Sequence, residues 1–87
     1  MKIKFHRRYE KQYKKLPEPI KKKVKRVIRI FREDPLAVSL RNHSLCGFMS
    51  DKRAIWVTGD IRIIFQEYDG YVLVVFFEVG GHDLYKG

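Results

Sequence analysis

The stretch Arg53–Tyr85, RAIWVTGDIRIIFQEYDGYVLVVFFEVGGHDLY, decides the fold of this chain. Two apolar runs within it are separated by Asp69-Gly70. This dipeptide is a strong signal for a β-hairpin, because a two-residue turn needs positive φ at both positions and Asp-Gly tolerates that. The predicted pairs across the hairpin are Tyr68 with Tyr71, Phe65 with Val74, Arg62 with Phe77 and Asp60 with Val79.

Side chains alternate along a strand, so the hairpin is predicted to have an apolar core face and a second, more polar face. The core face carries Ile61, Ile63, Phe65, Val72, Val74 and Phe76. The second face carries Arg62, Ile64 and Gln66. At the open end of the hairpin, Asp60 and Arg62 are expected to meet His82, which lies just past Val79. The sequence thus predicts an acid, a guanidinium and an imidazole at one end of the sheet.

Composition predicts a small globular domain with an anionic partner. The 87 residues suffice for one domain, residues 1–87, and the hydrophobic content of 45% excludes a disordered chain. The formal net charge of +9 is large for this length. It favours nucleic acid, an acidic protein or a membrane surface as the partner.

Cysteine usage and the N-terminus predict a cytoplasmic protein. Cys46 is the only cysteine, which excludes an intrachain disulfide and fits a reducing compartment. The N-terminal MKIKFHRRYEK lacks the apolar run of a signal peptide. The apolar run 71–79 has only about half of the ~18 residues that a membrane span needs. We therefore expect no membrane association, and no Cys/His spacing predicts a metal site.

The first half of the chain predicts a short strand and two helices. Charged and apolar residues alternate over Lys2–Phe5, and the period then changes to that of a helix with Phe5, Tyr9, Tyr13 and Leu16 on one face. Pro17-Glu18-Pro19 separates it from a second helix, whose apolar stripe contains Ile20, Val24, Val27, Ile28 and Phe31. Asp34-Pro35 ends this helix, because a residue before proline disfavours the α region.

Residues 36–52 have weak periodicity. We expect Leu36 and Leu40 to pack in the core, residues 44–46 to form a short strand and residues 47–52 to form a loop. With a strand at 53–57 and the hairpin, the predicted order is β-α-α-β-β-β-β. The predicted fold class is α+β, with two N-terminal helices packed on one face of a small twisted antiparallel sheet.

Five segments along nearly the whole chain have a characteristic order and spacing. They are FHRRYEKQYKKL at Phe5–Leu16, the basic second helix ending in Asp34-Pro35, NHSLCG at Asn42–Gly47, RAIWV and GDIRIIF within Arg53–Phe65, and VGGHDLY at Val79–Tyr85. Together they resemble toxins of the RelE superfamily, most closely the YafQ-type branch. These are the toxin halves of bacterial and archaeal type II toxin–antitoxin pairs.

The resemblance implies a RelE-like, microbial ribonuclease-type fold. It also implies an mRNA endoribonuclease, or mRNA interferase, that needs no metal or cofactor, acts on mRNA in the ribosomal A site and pairs with a cognate acidic antitoxin. The catalytic positions that it implies are His43, Asp60, Arg62, His82 and Tyr85. Lys52 and Arg53 are implied contributors to RNA binding, because RelE itself uses lysines and arginines. YafQ-type toxins often carry a histidine where this chain has Trp56, so that role is vacant or filled by another residue.

The chemistry explains why such residues would be needed. Metal-free RNA cleavage uses the ribose 2′-OH as nucleophile, and it needs a base, an acid and a cation that holds charge on the phosphorane. His43 and His82 are the acid and base candidates, in either order, because the histidine pKa lies near operating pH. Arg62 is the candidate phosphate clamp, since its planar fork matches phosphate oxygens. Asp60 either orients a histidine or acts as the base.

Each candidate also has a purely structural interpretation. The alternatives are a surface-loop role for His43 and His82, an ion pair of Arg62 with Asp60 or Glu78, a core-capping role for Tyr85 and a core position for Trp56. The dense basic residues of the second helix, including Lys22, Lys25 and Arg26, are interpreted as facing RNA or the ribosome. A merely solvated helix face is the alternative for them.

Two other functions stay open at the level of sequence. One is a non-catalytic RelE-fold binder, such as a ParE-type gyrase poison or a degenerate toxin, since fold alone does not decide function. The other is a general nucleic-acid-binding module. The simultaneous presence of His43, Arg62 and His82 favours the nuclease, because a pure binder needs no acid/base pair.

Overall fold

The computed structural model describes residues 1–81. Its elements are β1 (Lys2–Phe5), α1 (Arg7–Lys14), α2 (Glu18–Glu33), β2 (His43–Ser44), β3 (Arg53–Trp56), β4 (Arg62–Tyr68) and β5 (Leu73–Gly80), with short 3-10 helices at Val38–Leu40 and Gly47–Met49. The predicted order β-α-α-β-β-β-β is confirmed. No helix within residues 1–81 has the length and apolar character needed to cross a bilayer.

Helix α1 forms where the predicted four-residue spacing of aromatics places one face on the core. Tyr9 is buried, and Tyr13 and Leu16 pack against the core. His6 precedes the helix as its N-cap, and its Nδ1 accepts a hydrogen bond of 3.0 Å from the backbone N–H of Arg8. This bond satisfies one of the free N–H groups of the first turn.

Helix α2 begins and ends at its proline signals. Pro19 lies in its first turn, where the missing N–H costs no hydrogen bond. The helix ends at Glu33, and the backbone N–H of Asp34 makes a last bond of 2.8 Å to the carbonyl of Ile30. The buried side chains of its predicted apolar stripe are Val24, Val27 and Phe31.

The sheet is mixed, so the prediction of a purely antiparallel sheet is wrong. Its strand order is β1-β5-β4-β3-β2, and β1 runs parallel to β5 whereas the other neighbours are antiparallel. A parallel pair needs a long crossover connection, which the helices and the remaining strands supply here. Because β1 pairs with the last strand of the described residues, far away in the sequence, local periodicity carried no information about its direction.

The β4–β5 hairpin has a longer turn than predicted. Tyr68 pairs with Leu73, which leaves a four-residue loop at 69–72. Three consecutive loop residues have positive φ, namely Asp69 at 56°, Gly70 at 65° and Tyr71 at 70°. The backbone N–H of Tyr71 donates to Glu67 Oε1 at 2.8 Å. This side-chain bond stabilises a loop that the Asp-Gly signal alone does not specify.

A β-bulge shifts the hairpin register once more between Ile64 and Phe65. Phe65 lies opposite Phe76 but Ile64 lies opposite Glu78, so Phe77 has no direct partner on β4. Arg62 therefore pairs with Gly80, and Asp60 lies beyond the paired residues of the hairpin. The predicted pairs of Phe65 with Val74, of Arg62 with Phe77 and of Asp60 with Val79 are wrong. The longer loop shifts the register by two residues, and the bulge adds one more residue on β5 before Arg62.

The predicted core face of the hairpin is confirmed for most of its residues. Ile63, Phe65, Val74 and Phe76 are fully buried beneath the helices, and Ile61 packs at the margin of this core. The ring of Phe31 on α2 lies 5.1 Å from that of Phe65 and 5.6 Å from that of Phe76. Val72 is the exception, with 61% of its surface exposed, because it belongs to the loop and not to the strand.

The segment between α2 and β3 follows the prediction in part. Leu40 is buried as expected, whereas Leu36 is 64% exposed, so its predicted packing is wrong. The Asp34 side chain accepts a bond of 3.0 Å from the backbone N–H of Leu36, which turns the chain at this point. The short strand begins at His43, one residue before the predicted position, and this places His43 in the sheet.

Candidate active site on the open face of the sheet

The face of the sheet that points away from α1 and α2, called the open face below, carries three of the predicted site residues: His43, Lys52 and Arg62. Cross-strand pairing aligns Trp56, Arg62 and Gly80 in one row. The next row contains His43, Ala54, Ile64 and Glu78. Paired residues of neighbouring strands share a face, so His43, Arg62 and Trp56 all belong to the open face.

Arg62 is held by the turn between β3 and β4. Its Nη1 donates to the carbonyl of Thr58 at 2.7 Å. The Oγ1 of Thr58 in turn accepts from the backbone N–H groups of Asp60, at 3.2 Å, and Ile61, at 3.0 Å. Within residues 1–81 no carboxylate lies within 4.0 Å of this guanidinium, since Glu78 lies near Arg8 instead. Neutral carbonyl partners fix the side chain and leave its positive charge available to an anion.

Asp60 is exposed and lies against the end of β5. A Cβ atom built on Gly81 would come within 3.2 Å of the Asp60 Oδ2, so the carboxylate touches the last described residue of the chain. The glycine permits this close approach. His82 and Tyr85, which the sequence also predicted for the site, lie outside the described residues.

His43 is exposed at the sheet edge and is oriented by the backbone. Its Nδ1 lies 2.8 Å from the carbonyl oxygen of Arg41. A carbonyl can only accept, so in the neutral ring Nδ1 carries the proton and Nε2 presents a lone pair. His43 lies two strands and one row from Arg62, which corresponds to a backbone separation of roughly 12 Å at about 4.8 Å per strand and about 3.3 Å per residue. This separation leaves room for a ribose and a phosphate between them.

Lys52 lies on the open face, whereas Arg53 does not. The Lys52 Nζ lies 4.8 Å from the centre of the Phe77 ring and 3.3 Å from an Asp51 carboxylate oxygen. Lys52 therefore reaches across β4 toward β5. Arg53 pairs with Phe65, a residue of the core face, and its Nε donates to Asn42 Oδ1 at 2.7 Å.

The basic residues of α2 are also separated from the open face. Lys22, Lys25 and Arg26 are all exposed, but α2 covers the opposite face of the sheet. Any contact of these residues with RNA would therefore be made outside the catalytic candidates. Arg26 is the one of the three that shares a groove with an open-face residue, Trp56.

Sequence reasoning missed two residues of the open face. Trp56 was expected in the core, yet it is partly exposed and faces the same way as Arg62, because Ile55 and Val57 on either side take the core positions. Strand alternation alone contained this signal. Arg41 had no comparable signal. Its φ of 50° turns the chain so that its guanidinium carbon lies 5.1 Å from the Trp56 ring centre.

Solved structures with the same arrangement of helices and strands are toxins. YafQ from E. coli superposes with a TM-score of 0.80 over 98% of this chain and 97% of that chain, at 21% identity. The DinJ–YafQ toxin–antitoxin complex of E. coli gives 0.78 over 98% and 96%, at 25% identity. The archaeal RelE–RelB complex from Pyrococcus horikoshii OT3 gives 0.74 over 92% of each chain, at 17% identity. The fold is therefore that of the RelE-like toxins.

Comparison with sequence families identifies the branch of the RelE-like toxins to which the chain belongs. A family model described as the bacterial toxin of a type II toxin–antitoxin system, YafQ, matches residues 1–86. A comparison with curated protein sequences finds no significant match. The chain belongs to the YafQ family of toxins.

Proposed function

We propose that this chain is an mRNA endoribonuclease that cleaves ribosome-bound mRNA on the open face, without a metal ion, and that a cognate acidic antitoxin inhibits it. The observation that carries the proposal is the bond from His43 Nδ1 to the Arg41 carbonyl. Because Nδ1 is engaged by the backbone, Nε2 of this exposed imidazole is left for the substrate on the same sheet face as Arg62. A base and a phosphate clamp on one face are two of the three groups that this chemistry needs, the third being an acid.

In the proposed reaction, Nε2 of His43 takes the proton of the ribose 2′-OH. The 2′-oxygen forms a bond to the adjacent phosphorus, and the bond from phosphorus to the 5′-oxygen breaks. A proton from a second group, for which His82 is the candidate, neutralises the departing 5′-oxygen. The products are a 2′,3′-cyclic phosphate and a 5′-hydroxyl end, so atoms and charge balance without a metal.

Arg62 would stabilise the charge that develops on the phosphorane. Its guanidinium is already anchored by the Thr58 carbonyl, so little side-chain entropy is lost when it meets the phosphate. Asp60 would help to position the acid, because its carboxylate touches Gly81, the residue directly before His82. Lys52 adds a positive charge on the same face. Tyr85 stays a candidate for contact with the substrate.

An acidic antitoxin fits the charge of the chain. The net charge of +9 on 87 residues favours an anionic cover, and structural relatives are described as toxin–antitoxin complexes. Co-expression with the product of an adjacent gene tests this part. A co-purifying complex that relieves growth inhibition supports it, whereas no complex and no relief would contradict it.

The nuclease proposal is tested with purified protein, a reporter mRNA and ribosomes halted at a known codon. We expect cleavage within the A-site codon, detected by primer extension, and little cleavage of the same mRNA without ribosomes. His82→Ala should bind ribosomes but lose most of the cleavage. Inhibition of DNA gyrase supercoiling with no RNA cleavage would instead identify the gyrase-poison alternative.

A further inference from the structure

Trp56 lies between two cationic groups at the edge of the open face. Arg62 is its direct cross-strand neighbour on β4. On the other side, the Arg41 guanidinium carbon lies 5.1 Å from the indole ring centre, which is a cation–π geometry. A partly exposed tryptophan in this setting offers a flat apolar surface beside positive charge, and single-stranded nucleic acids stack their bases on such surfaces.

A groove beside Trp56 provides a path for a phosphate backbone. It has a volume of about 360 Å³, and Trp56, Thr58 and Gly59 line one side while Lys23 and Arg26 of α2 line the other. This volume lies within the range of small-ligand sites, about 300–1,000 Å³. No carboxylate of residues 1–81 lies within 4.0 Å of the charged groups of Lys23 or Arg26.

The sheet edge connects the open face to this groove. Strand β2 pairs only with Arg53 and Ala54, so within the described residues no strand covers the outer edge of β3 at Trp56. The 3-10 helix Val38–Leu40 contacts β3 there, and the Arg41 side chain lies over the indole. A nucleotide that displaces the Arg41 side chain can reach both the indole and the groove, because Trp56 lines that groove as well.

We infer that Trp56, Lys23 and Arg26 bind the mRNA nucleotide next to the scissile phosphate. Its base stacks on the indole, and its phosphate lies in the groove between the two cations. A base inserted between the indole and the Arg41 guanidinium would need roughly 7 Å, which is two stacking intervals of about 3.4 Å. The guanidinium carbon lies only 5.1 Å from the ring centre, so a base does not fit between them. The base therefore displaces the Arg41 guanidinium from the ring. This inference rests on the proposed nuclease function and names a substrate contact for it.

The intrinsic fluorescence of the chain reports on this subsite directly, because Trp56 is the only tryptophan. The probe is a six-nucleotide 2′-O-methyl RNA, which lacks the nucleophile and cannot be cleaved. We expect it to quench the emission of the wild-type protein, and an abasic phosphodiester chain of equal length to leave the emission nearly unchanged. Equal responses to both chains, or no response to either, would overturn the inference.

Variants separate the stacking contact from the groove cations. Trp56→Ala should weaken binding of the same oligonucleotide roughly 5- to 150-fold, the range measured for removal of one aromatic stacking partner, and Trp56→Phe should recover part of the loss. Lys23→Ala with Arg26→Ala should lower the slope of log affinity against log salt by about 0.7, the value for one single-strand phosphate contact. The matched control is Arg29→Ala with Arg32→Ala, which removes equal charge from the same helix outside the groove. A control that behaves like the groove pair would contradict the proposed path.

The outcomes distinguish this inference from the nuclease proposal. If the oligonucleotide quenches the fluorescence but the protein cleaves no mRNA, the nuclease proposal is overturned and the binding site at Trp56 is retained. Normal cleavage by Trp56→Ala, with an unchanged KM for mRNA, would overturn the subsite and leave the nuclease. Quenching by an acidic antitoxin but not by RNA would make the groove a protein interface and would also overturn the inference.

Discussion

The Nδ1 atom of His43 lies 2.8 Å from the carbonyl oxygen of Arg41. This contact fixes the tautomer and leaves Nε2 to accept a proton. Removal of a general base typically costs about 10²–10⁴-fold in rate, whereas loss of an exposed side chain changes stability by about 0.5 kcal/mol or less. We therefore expect His43→Ala and His43→Gln to lose cleavage by that factor and to unfold at a nearly unchanged temperature.

His6 is the matched control for this prediction. It is also an exposed histidine, but its Nδ1 accepts from the backbone N–H of Arg8 and caps α1. His6→Ala should lose about 0.5–2 kcal/mol of stability and keep its turnover below the melting transition. Turnover and thermal unfolding measured on both variants give opposite patterns. Normal turnover by His43→Ala would remove this residue from the reaction.

Variants of Arg62 test whether the reaction needs only its positive charge or also its planar geometry. Arg62→Ala should lower single-turnover cleavage by about 10²–10³-fold, the usual cost of removing one preorganised group that stabilises transition-state charge. Arg62→Lys keeps the charge but loses the planar fork and the bond to the Thr58 carbonyl, so it should recover only part of the rate. Full recovery with lysine would show that charge alone suffices at this position.

A substitution at Gly81 tests whether the position of the Asp60 carboxylate matters for cleavage. A methyl group on Gly81 would lie 3.2 Å from Asp60 Oδ2 and must displace it by a few tenths of an ångström. Because small misplacements at a reacting centre are costly, we expect Gly81→Ala to lower cleavage about tenfold with little change in stability. Wild-type cleavage by Gly81→Ala, with an unchanged unfolding temperature, would show that the carboxylate position does not matter.

Tyr9 links stability to pH. Its hydroxyl belongs to a side chain that is only 4% exposed, and burial, with the neighbouring Tyr13, raises the pKa of the Tyr9 phenol above its usual range. Above pH of about 10 the unfolded chain releases this proton while the folded protein keeps it, so stability falls as pH rises, by up to about 1.4 kcal/mol per pH unit. Urea unfolding of Tyr9→Phe should show a shallower loss than the wild-type protein. Parallel curves would contradict this linkage.

The elements of this fold were predictable where a local signal existed. The aromatic spacing around Tyr9 and the proline after Asp34 predicted both helices, and alternation over Ile63 and Phe65 predicted the core face. The sheet direction was not predictable, because β1 pairs with a strand about 70 residues later in the chain. The Asp69-Gly70 signal marked the right turn but not its length, since Glu67 stabilises Tyr71 with positive φ.

The candidate site was predicted less completely than the fold. Arg62 lies on the open face as expected. Its cross-strand partner Gly80 was not predicted, because no residue pattern predicts a bulge at Phe77. Arg53 carries the same charge as Lys52 but bonds to Asn42 on the other side of the strand. Trp56 was left out of the predicted site with a core position as its alternative, because one residue more or less in the Thr58-Gly59 turn changes the face on which it lies. Residue type was a weaker guide than position in the strand.

The proposed nucleophile on the open face is the ribose 2′-OH of the mRNA. The most direct measurement compares two mRNAs on halted ribosomes that differ by one atom, with a ribose or a 2′-deoxyribose at the cleaved nucleotide. We expect the ribose substrate to yield 2′,3′-cyclic phosphate and 5′-hydroxyl ends and the deoxy substrate not to be cut at that position. Cleavage of the deoxy substrate at a comparable rate would contradict the mechanism.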